Sequence, residues 1–316
     1  MAKKLLRYIV FMLRIRRVEF RIAEIPILGI PVLLLCRDTA ILRTLDFWEG
    51  VFIFFLLFAF GDMINCLADR DLDVIYKPHL SESVYGLGVP FVKFQIWLTA
   101  LLAVVLSIHL SWRMDRWPIA ALTVTGLLLG AAYSVEPVRL KGRGLLQLVC
   151  LWTIIFFGPM LFVIQLVQAN LSTGVVVFAA LYGALQMGII LVNTAEDYPE
   201  DLASGVRTSL VSMGLKNGIL LAVWLTAAGA AGTLFVLLHF FSPLRDSQAW
   251  IAGLLPVAAG YLFVAASVVN LYGKIRNAEL VDAIRAVKAA GRYVPVWVTA
   301  AAWSTFWATG VLFYYK

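Results

Sequence analysis

Several apolar runs in this chain are too long to belong to a water-soluble core. "VFIFFLLFAF" (51–60), "LTALLAVVLSIHL" (98–110) and "AALYGALQMGIILV" (179–192) are examples. An α-helix rises about 1.5 Å per residue, so roughly 17–25 apolar residues cover the hydrocarbon core of a bilayer. We read nine such runs, near residues 22–36, 47–66, 93–110, 117–135, 145–168, 173–193, 217–241, 249–272 and 293–314. The first is short and carries Glu24. The strict alternation of barrel strands is absent, and continuous runs fit helices. Composition points the same way. The chain is 62% hydrophobic and 14% charged, with a mean hydropathy of +0.88, against about half and about a quarter in a soluble domain. The expected fold is an all-α, polytopic membrane protein with about nine transmembrane helices. No long polar linker interrupts the series, so we read one integral domain over residues 1–316.

The charges give an orientation. The opening "MAKKLLRYIVFMLRIRRVEFR" mixes seven Lys/Arg with apolar residues. Its run "YIVFML" is short for a signal peptide and no small-residue cleavage site follows, so residues 1–21 read as a basic interfacial segment. With the N-terminus in the cytoplasm, the cytoplasmic segments hold 20 Lys/Arg and the opposite side holds six (Arg37, Arg43, Arg113, Arg116, Arg245 and Lys316). That bias follows the positive-inside rule. The expected location is a multi-pass protein of the bacterial inner membrane, facing membrane lipid on its outside. The net charge of +7 is split among loops beside the bilayer, which argues against nucleic acid as a partner. Cys36, Cys66 and Cys150 lie in or beside predicted spans without a CxxC pair, so neither a disulfide framework nor a cysteine metal site is expected.

Two acidic stretches interrupt this apolar background: "NCLADRDLDVIYKP" (65–78) and "NTAEDYPED" (193–201). Both spell N-x-x-x-D-x-x-x-D, both follow a predicted span at its cytoplasmic end, and they lie 128 residues apart. Gly88 and Gly214 follow them at similar distances. The pattern is that of an internal repeat. If the first stretch continues the helix of its span, Asp62, Asn65, Asp69 and Asp73 fall within about 80° of one another and Asp71 points away. In the second, Asn193, Asp197 and Asp201 share a face with Gln186, and Pro199 bends or ends the helix. Acidic residues at a helix boundary are often only solvated charge. Two matching arrays of hard oxygen donors also suit Mg²⁺, an ion commonly shared between one or two carboxylates and substrate phosphates. Facing each other across one cytoplasm-facing central cavity, they would hold a diphosphate. Two matching arrays would otherwise have no reason to exist, since each could be solvated separately.

These features resemble the UbiA superfamily of intramembrane prenyltransferases. That family has nine transmembrane helices and two aspartate-rich motifs, after the second and sixth spans. Its first motif is usually N-D-x-x-D-x-x-x-D. Asn65, Asp69 and Asp73 match it, while Cys66 stands at the usual second-position aspartate. Its second, D-x-x-x-D, matches Asp197 and Asp201, with Asn193 four residues before. The family's tyrosine and lysine after the fourth span correspond to Tyr133 and Lys141 in "YSVEPVRLKGRG".

The resemblance implies an isoprenoid diphosphate substrate, with Mg²⁺ held by Asp69, Asp73, Asp197 and Asp201 and Asn65 and Asn193 as ligands or orienting groups. Lys141 is the foremost partner for the diphosphate. Lys77, Arg139 and Arg207 are weighed against the simpler role of membrane-surface charge. Loss of diphosphate leaves an allylic cation, which aromatic faces stabilise. Tyr133 and Tyr198 lie near the motifs. A lipid-soluble acceptor (aromatic, polar-headed or isoprenoid) then takes the prenyl group. Cys66 keeps open a terpene cyclase that uses the same ionisation without an acceptor. A membrane transporter is the reading from another class, though transporters place binding groups nearer the bilayer midplane. Asp62 reads as an extra ligand, a proton acceptor or a paired buried charge. Arg21 and Glu24 either pair or help to seat the acceptor. The small-residue stretches 126–130 and 227–232 read as helix-packing surfaces.

Overall fold

The computed structural model describes residues 2–244 and 248–315. Arg245 and Lys316, two of the six cations on the sparse side of the charge count, lie outside the described residues. Among those residues all regular structure is helical. The first part of the chain forms α1 (Ala2–Ile15), α2 (Arg21–Leu35), α3 (Leu45–Asp69), α4 (Asp73–Tyr76), α5 (Pro78–Leu87), α6 (Val89–Met114) and α7 (Pro118–Ser134). The remainder forms α8 (Leu145–Leu151), a π-helical stretch Trp152–Phe157, α9 (Gly158–Val167), α10 (Thr173–Glu196) and α11 (Tyr198–Ala203). It continues with α12 (Ser209–Met213), α13 (Leu215–Phe241), α14 (Gln248–Ile275), α15 (Leu280–Gly291) and α16 (Val294–Tyr314).

Each predicted apolar run falls on a helix. Seven stretches among the described residues are long and apolar enough to cross a membrane: α3, α6, Leu145–Val167, α10, Leu215–Leu244, α14 and α16. Helix α7 is a shorter apolar helix. Helix α2 has 15 residues and contains Pro26 and Pro31, so it reaches only about 22 Å. The protein is a polytopic, all-helical membrane protein. The expected nine spans come down to seven full-length helices plus two short ones. Trp97, Leu101, Phe235 and Leu262 stay exposed along the spans, a surface suited to lipid.

Two compact units divide the chain. One holds the chain up to Glu24 with Ala40–Leu140, the other Ile25–Thr39 with the chain from Lys141 onward. In the first, Phe11 and Ile15 of α1, Phe60 and Met63 of α3, Leu80 and Val84 of α5, Val92 and Ile96 of α6 and Leu127 of α7 share one buried cluster. Helix α5, predicted only as loop, therefore packs back against the helices that carry and precede the first acidic stretch. In the second unit α10 is the most enclosed helix, with Phe178, Tyr182 and Ile189 fully buried. Gly229 on α13 lies against the backbone at Leu185, and Gly188 on α10 against the backbone at Thr226. Here the small residues at 227–232 do permit close helix approach. Gly126 and Gly130 make only ordinary side-chain contact, with Leu57 and Phe60.

The repeat seen in the sequence has a backbone counterpart. Gly88 ends α5 and starts α6 with φ 89° and ψ 126°, and Gly214 ends α12 and starts α13 with φ 81° and ψ 147°. A Cβ at either would meet nothing within 4 Å. The glycines are there for the positive φ, which L side chains rarely adopt, and not for lack of space.

Candidate functional site

Thr44 starts α3 as its N-cap, with Oγ1 accepting from Phe47 N–H at 3.3 Å. The helix runs to Asp69, and Arg70 closes it by donating to the Leu67 carbonyl at 2.7 Å. The first stretch is thus not one continuous helix. A turn at 70–72 separates Asp69 from α4, which opens at Asp73. Burial still separates the acids across the break. Asp69 and Asp73 are 6% and 7% exposed, whereas the Asp71 side chain is 69% exposed. Asp71 turns to Arg70 at 3.2 Å and accepts a hydrogen bond from the Tyr85 hydroxyl on α5. That bond holds the Tyr85 phenol above its ordinary pKa. Asn65 is half-buried on α3. Cys66, at the usual aspartate position, is 1% exposed and belongs to the apolar cluster of α1, α3 and α5. Packing accounts for it.

Arg139, read as a candidate diphosphate partner, has its Nη2 3.6 Å from Asp69 Oδ1, and its Nη1 3.3 Å from Glu136. Its backbone is left-handed, with φ 34°, a conformation that costs a non-glycine residue about 1–3 kcal/mol and concentrates at functional sites. Lys77 is half-buried at the end of α4, where its N–H donates to the Asp73 carbonyl at 2.9 Å. Tyr133 is half-buried near the end of α7. Asp62 is a paired, half-buried charge. The Arg21 guanidinium bridges it, at 2.6 Å, to Glu24.

In the second unit, α10 ends at Glu196 and Asp197 is the junction residue. Pro199 does not merely stop a helix; it occupies the first turn of α11, where its missing N–H is not needed. Asp201 N–H donates to the Asp197 carbonyl at 2.8 Å. Asp197 and Asp201 are half-buried, Tyr198 is 8% exposed and Asn193 is exposed. Two turns before Asn193, Gln186 is 1% exposed; its Nε2 donates to the Tyr182 hydroxyl at 3.0 Å, and its Oε1 has no partner among the described residues.

Lys141 sits in a single turn, Leu140–Gly142, and its neighbourhood is fastened to the segment after the second array. Gly144 N–H donates to the Arg207 carbonyl at 2.9 Å. The buried Gln147 Oε1 accepts from Ser209 N–H at 2.8 Å and Ser209 Oγ at 2.9 Å. The Arg207 side chain itself is exposed. Sequence reasoning did not single out Gln147 or Ser209. Their pairing is tertiary, and the one local hint was a polar residue at the start of an apolar run.

Carboxylates four residues apart, each set with an amide four residues before, are the hard oxygen donors that Mg²⁺ takes when substrate phosphates complete its shell. Among the described residues no three of His, Cys, Asp and Glu are grouped so as to hold a metal by themselves.

Comparison with known proteins decides the family. The model of the UbiA prenyltransferase family matches residues 25–281. The chain belongs to the UbiA prenyltransferase family. Among curated UbiA-like relatives it is 30% identical over 182 residues to the 2-carboxy-1,4-naphthoquinone phytyltransferase of Synechocystis sp., covering 54% of this chain and 57% of that protein. It is 32% identical over 191 residues to the bacteriochlorophyll synthase 33 kDa chain of Cereibacter sphaeroides, covering 57% of this chain and 59% of the relative. The matched region thus spans less than two thirds of either relative's length. Among solved structures, a digeranylgeranylglyceryl phosphate synthase superposes with a TM-score of 0.65 at 17% identity, covering 98% of this chain and 99% of that one. A UbiA homologue from Archaeoglobus fulgidus, bound to GPP and Mg²⁺, gives 0.61 at 15% identity, covering 94% and 99%. At these identities the structures establish the shared UbiA fold.

Proposed function

We propose that the chain acts as one catalytic domain that transfers a prenyl group from an isoprenoid diphosphate to a lipid-soluble acceptor, with its N-terminus and site facing the cytoplasm. The observation that carries this reading is the burial of Asp69 at the end of a membrane-spanning helix and of Asp73 just beyond it, in a chain of the UbiA family. The activities of the relatives (a phytyltransferase and a bacteriochlorophyll synthase chain) and the GPP and Mg²⁺ of the archaeal homologue support prenyl transfer.

Asp69, Asp73, Asp197 and Asp201 would hold the cation, with Asn65 and Asn193 ligating it or orienting the carboxylates. Mg²⁺, when bound there, neutralises the diphosphate and stabilises it as a leaving group. Lys141, Lys77 and Arg207 supply further charge to the diphosphate oxygens. Arg139 pairs with Asp69 and is a further candidate for the diphosphate oxygens. The C–O bond to diphosphate breaks, an allylic cation forms, and the ring faces of Tyr133 and Tyr198 stabilise it. The acceptor nucleophile then forms the new bond and loses its proton.

The test is diphosphate release by purified protein in lipid, followed by mass spectrometry of extracts from cells with and without the chain. A product carrying both the prenyl mass and acceptor atoms supports transfer. A hydrocarbon without acceptor atoms would make the chain a cyclase, and no diphosphate release would remove the enzyme reading.

A further inference from the structure

The segment between α14 and α16 carries four Lys/Arg: Arg276, Arg285, Lys288 and Arg292. It contains an amphipathic helix, α15, that buries Ala283, Val287 and Gly291 and exposes Arg285, Lys288 and Arg292. Two features tie it to the second acidic array. A Cβ at Gly291 would coincide with the Glu196 carboxylate, its nearest three atoms all belonging to that side chain. One turn away, Lys288 Nζ lies 3.8 Å from Glu200 Oε1, and Pro199 lines a groove with Ile284 and Lys288. Glu196 and Glu200 are four residues apart across the junction of α10 and α11, and each immediately precedes a predicted ligand, Asp197 or Asp201.

We infer that α15 is a positioning element for the second array. Gly291 leaves the recess that Glu196 occupies, and Lys288 draws Glu200 to the same side. Neighbouring side chains on a helix diverge by about 100°, so seating the two glutamates against α15 turns Asp197 and Asp201 in another direction. The bridge between Lys288 and Glu200 is long and partly exposed, so its contribution is directional and not a source of stability. Side chains that orient ligands in this way are worth about 10–100-fold in metal affinity when removed. Nothing in the first stretch of sequence suggests the device; it depends on a glycine about ninety residues downstream of the acids it serves.

This inference rests on the proposed metal role of Asp197 and Asp201, and the experiment separates the two. Mn²⁺ binding to the full chain in lipid nanodiscs, with inorganic diphosphate present, is read by electron paramagnetic resonance. Gly291→Ala, Glu196→Ala and Lys288→Met should each raise the apparent Mn²⁺ dissociation constant by about tenfold. Turnover measured at saturating metal should stay within about twofold of the parent. The Gly291→Ala/Glu196→Ala double variant should be no worse than either single one, since a Cβ at 291 only displaces a carboxylate that Glu196→Ala has already removed. Lys288→Arg should restore binding, and Arg285→Gln, whose side chain pairs with Asp282, should leave it unchanged. Lys288 is half exposed, so Lys288→Met tests the idea even if Gly291→Ala fails to fold. Parent-like Mn²⁺ binding in Lys288→Met and Glu196→Ala would overturn the role of α15 and leave the metal site standing. A parent chain that binds no Mn²⁺ would overturn both.

Discussion

Replacing Arg21 with methionine should destabilise the first unit severely. Its guanidinium meets Glu24, which is 5% exposed, and Asp62, whose side chain is 20% exposed. Removing the cation leaves two carboxylates on α2 and α3 without it. Breaking a buried pair typically costs about 3–5 kcal/mol, because the remaining charge keeps its desolvation penalty. The one-fifth exposure of Arg21 and Asp62 puts the expectation near the lower end, about 3 kcal/mol, or roughly 150-fold in the folding equilibrium at about 1.4 kcal/mol per tenfold. Asp62→Asn alone should cost within about 1 kcal/mol, since Arg21 keeps Glu24 and a hydrogen-bonding partner at 62. The triple variant Arg21→Met/Glu24→Gln/Asp62→Asn should recover at least half of the loss. Denaturant unfolding of detergent-solubilised protein, followed by tryptophan fluorescence, measures all three. Parent-like stability of Arg21→Met, or a triple variant weaker than the single one, would refute the reasoning.

Three further outcomes are expected. EDTA should abolish diphosphate release and added Mg²⁺ should restore it; full turnover in EDTA would remove the metal from the reaction. Asp69→Ala and Asp197→Ala should each lose most diphosphate release, while Asp71→Ala, whose side chain is 69% exposed, should stay within about fivefold of the parent, with a metal ligand being worth several kcal/mol. Gly88→Ala and Gly214→Ala should each lower stability by about 1–3 kcal/mol, the range for forcing an L residue into a sparsely populated backbone region. Their thermal unfolding should show this without loss of helix content, since a Cβ at either position meets no neighbour.

The spans were legible because length and apolarity are properties of a single run, and each of the nine runs coincides with a helix. Helical phase set Asp69 and Asp73 apart from Asp71 on the expectation of one continuous helix; a turn at 70–72 breaks that helix, and the buried and exposed positions follow from the turn and α4 instead. Gly88 and Gly214 were visible as a similar spacing beyond the two stretches, and the backbone gives those glycines their reason. Helices α5, α12 and α15 were missed. They are 10, 5 and 12 residues long, and their burial comes from packing on distant parts of the chain. The contacts of Gln147 with Ser209 and of Gly291 with Glu196 join residues 62 and 95 positions apart, distances over which no local pattern carries information.

The two glycine links have a mechanical meaning. In each case one residue alone connects a short helix to a long membrane-spanning one. Such a link has only two soft dihedrals, and its Cα steps are fixed at about 3.8 Å. It behaves as a universal joint: the short rod can swing about the end of the long one, but it cannot slide along it or draw away from it. Whatever motion accompanies the arrival of substrate, α5 and α12 can change their tilt while the distance from each to its span stays the same. A one-residue insertion beside either glycine would convert that pivot into a slack tether, a much larger mechanical change than its size suggests.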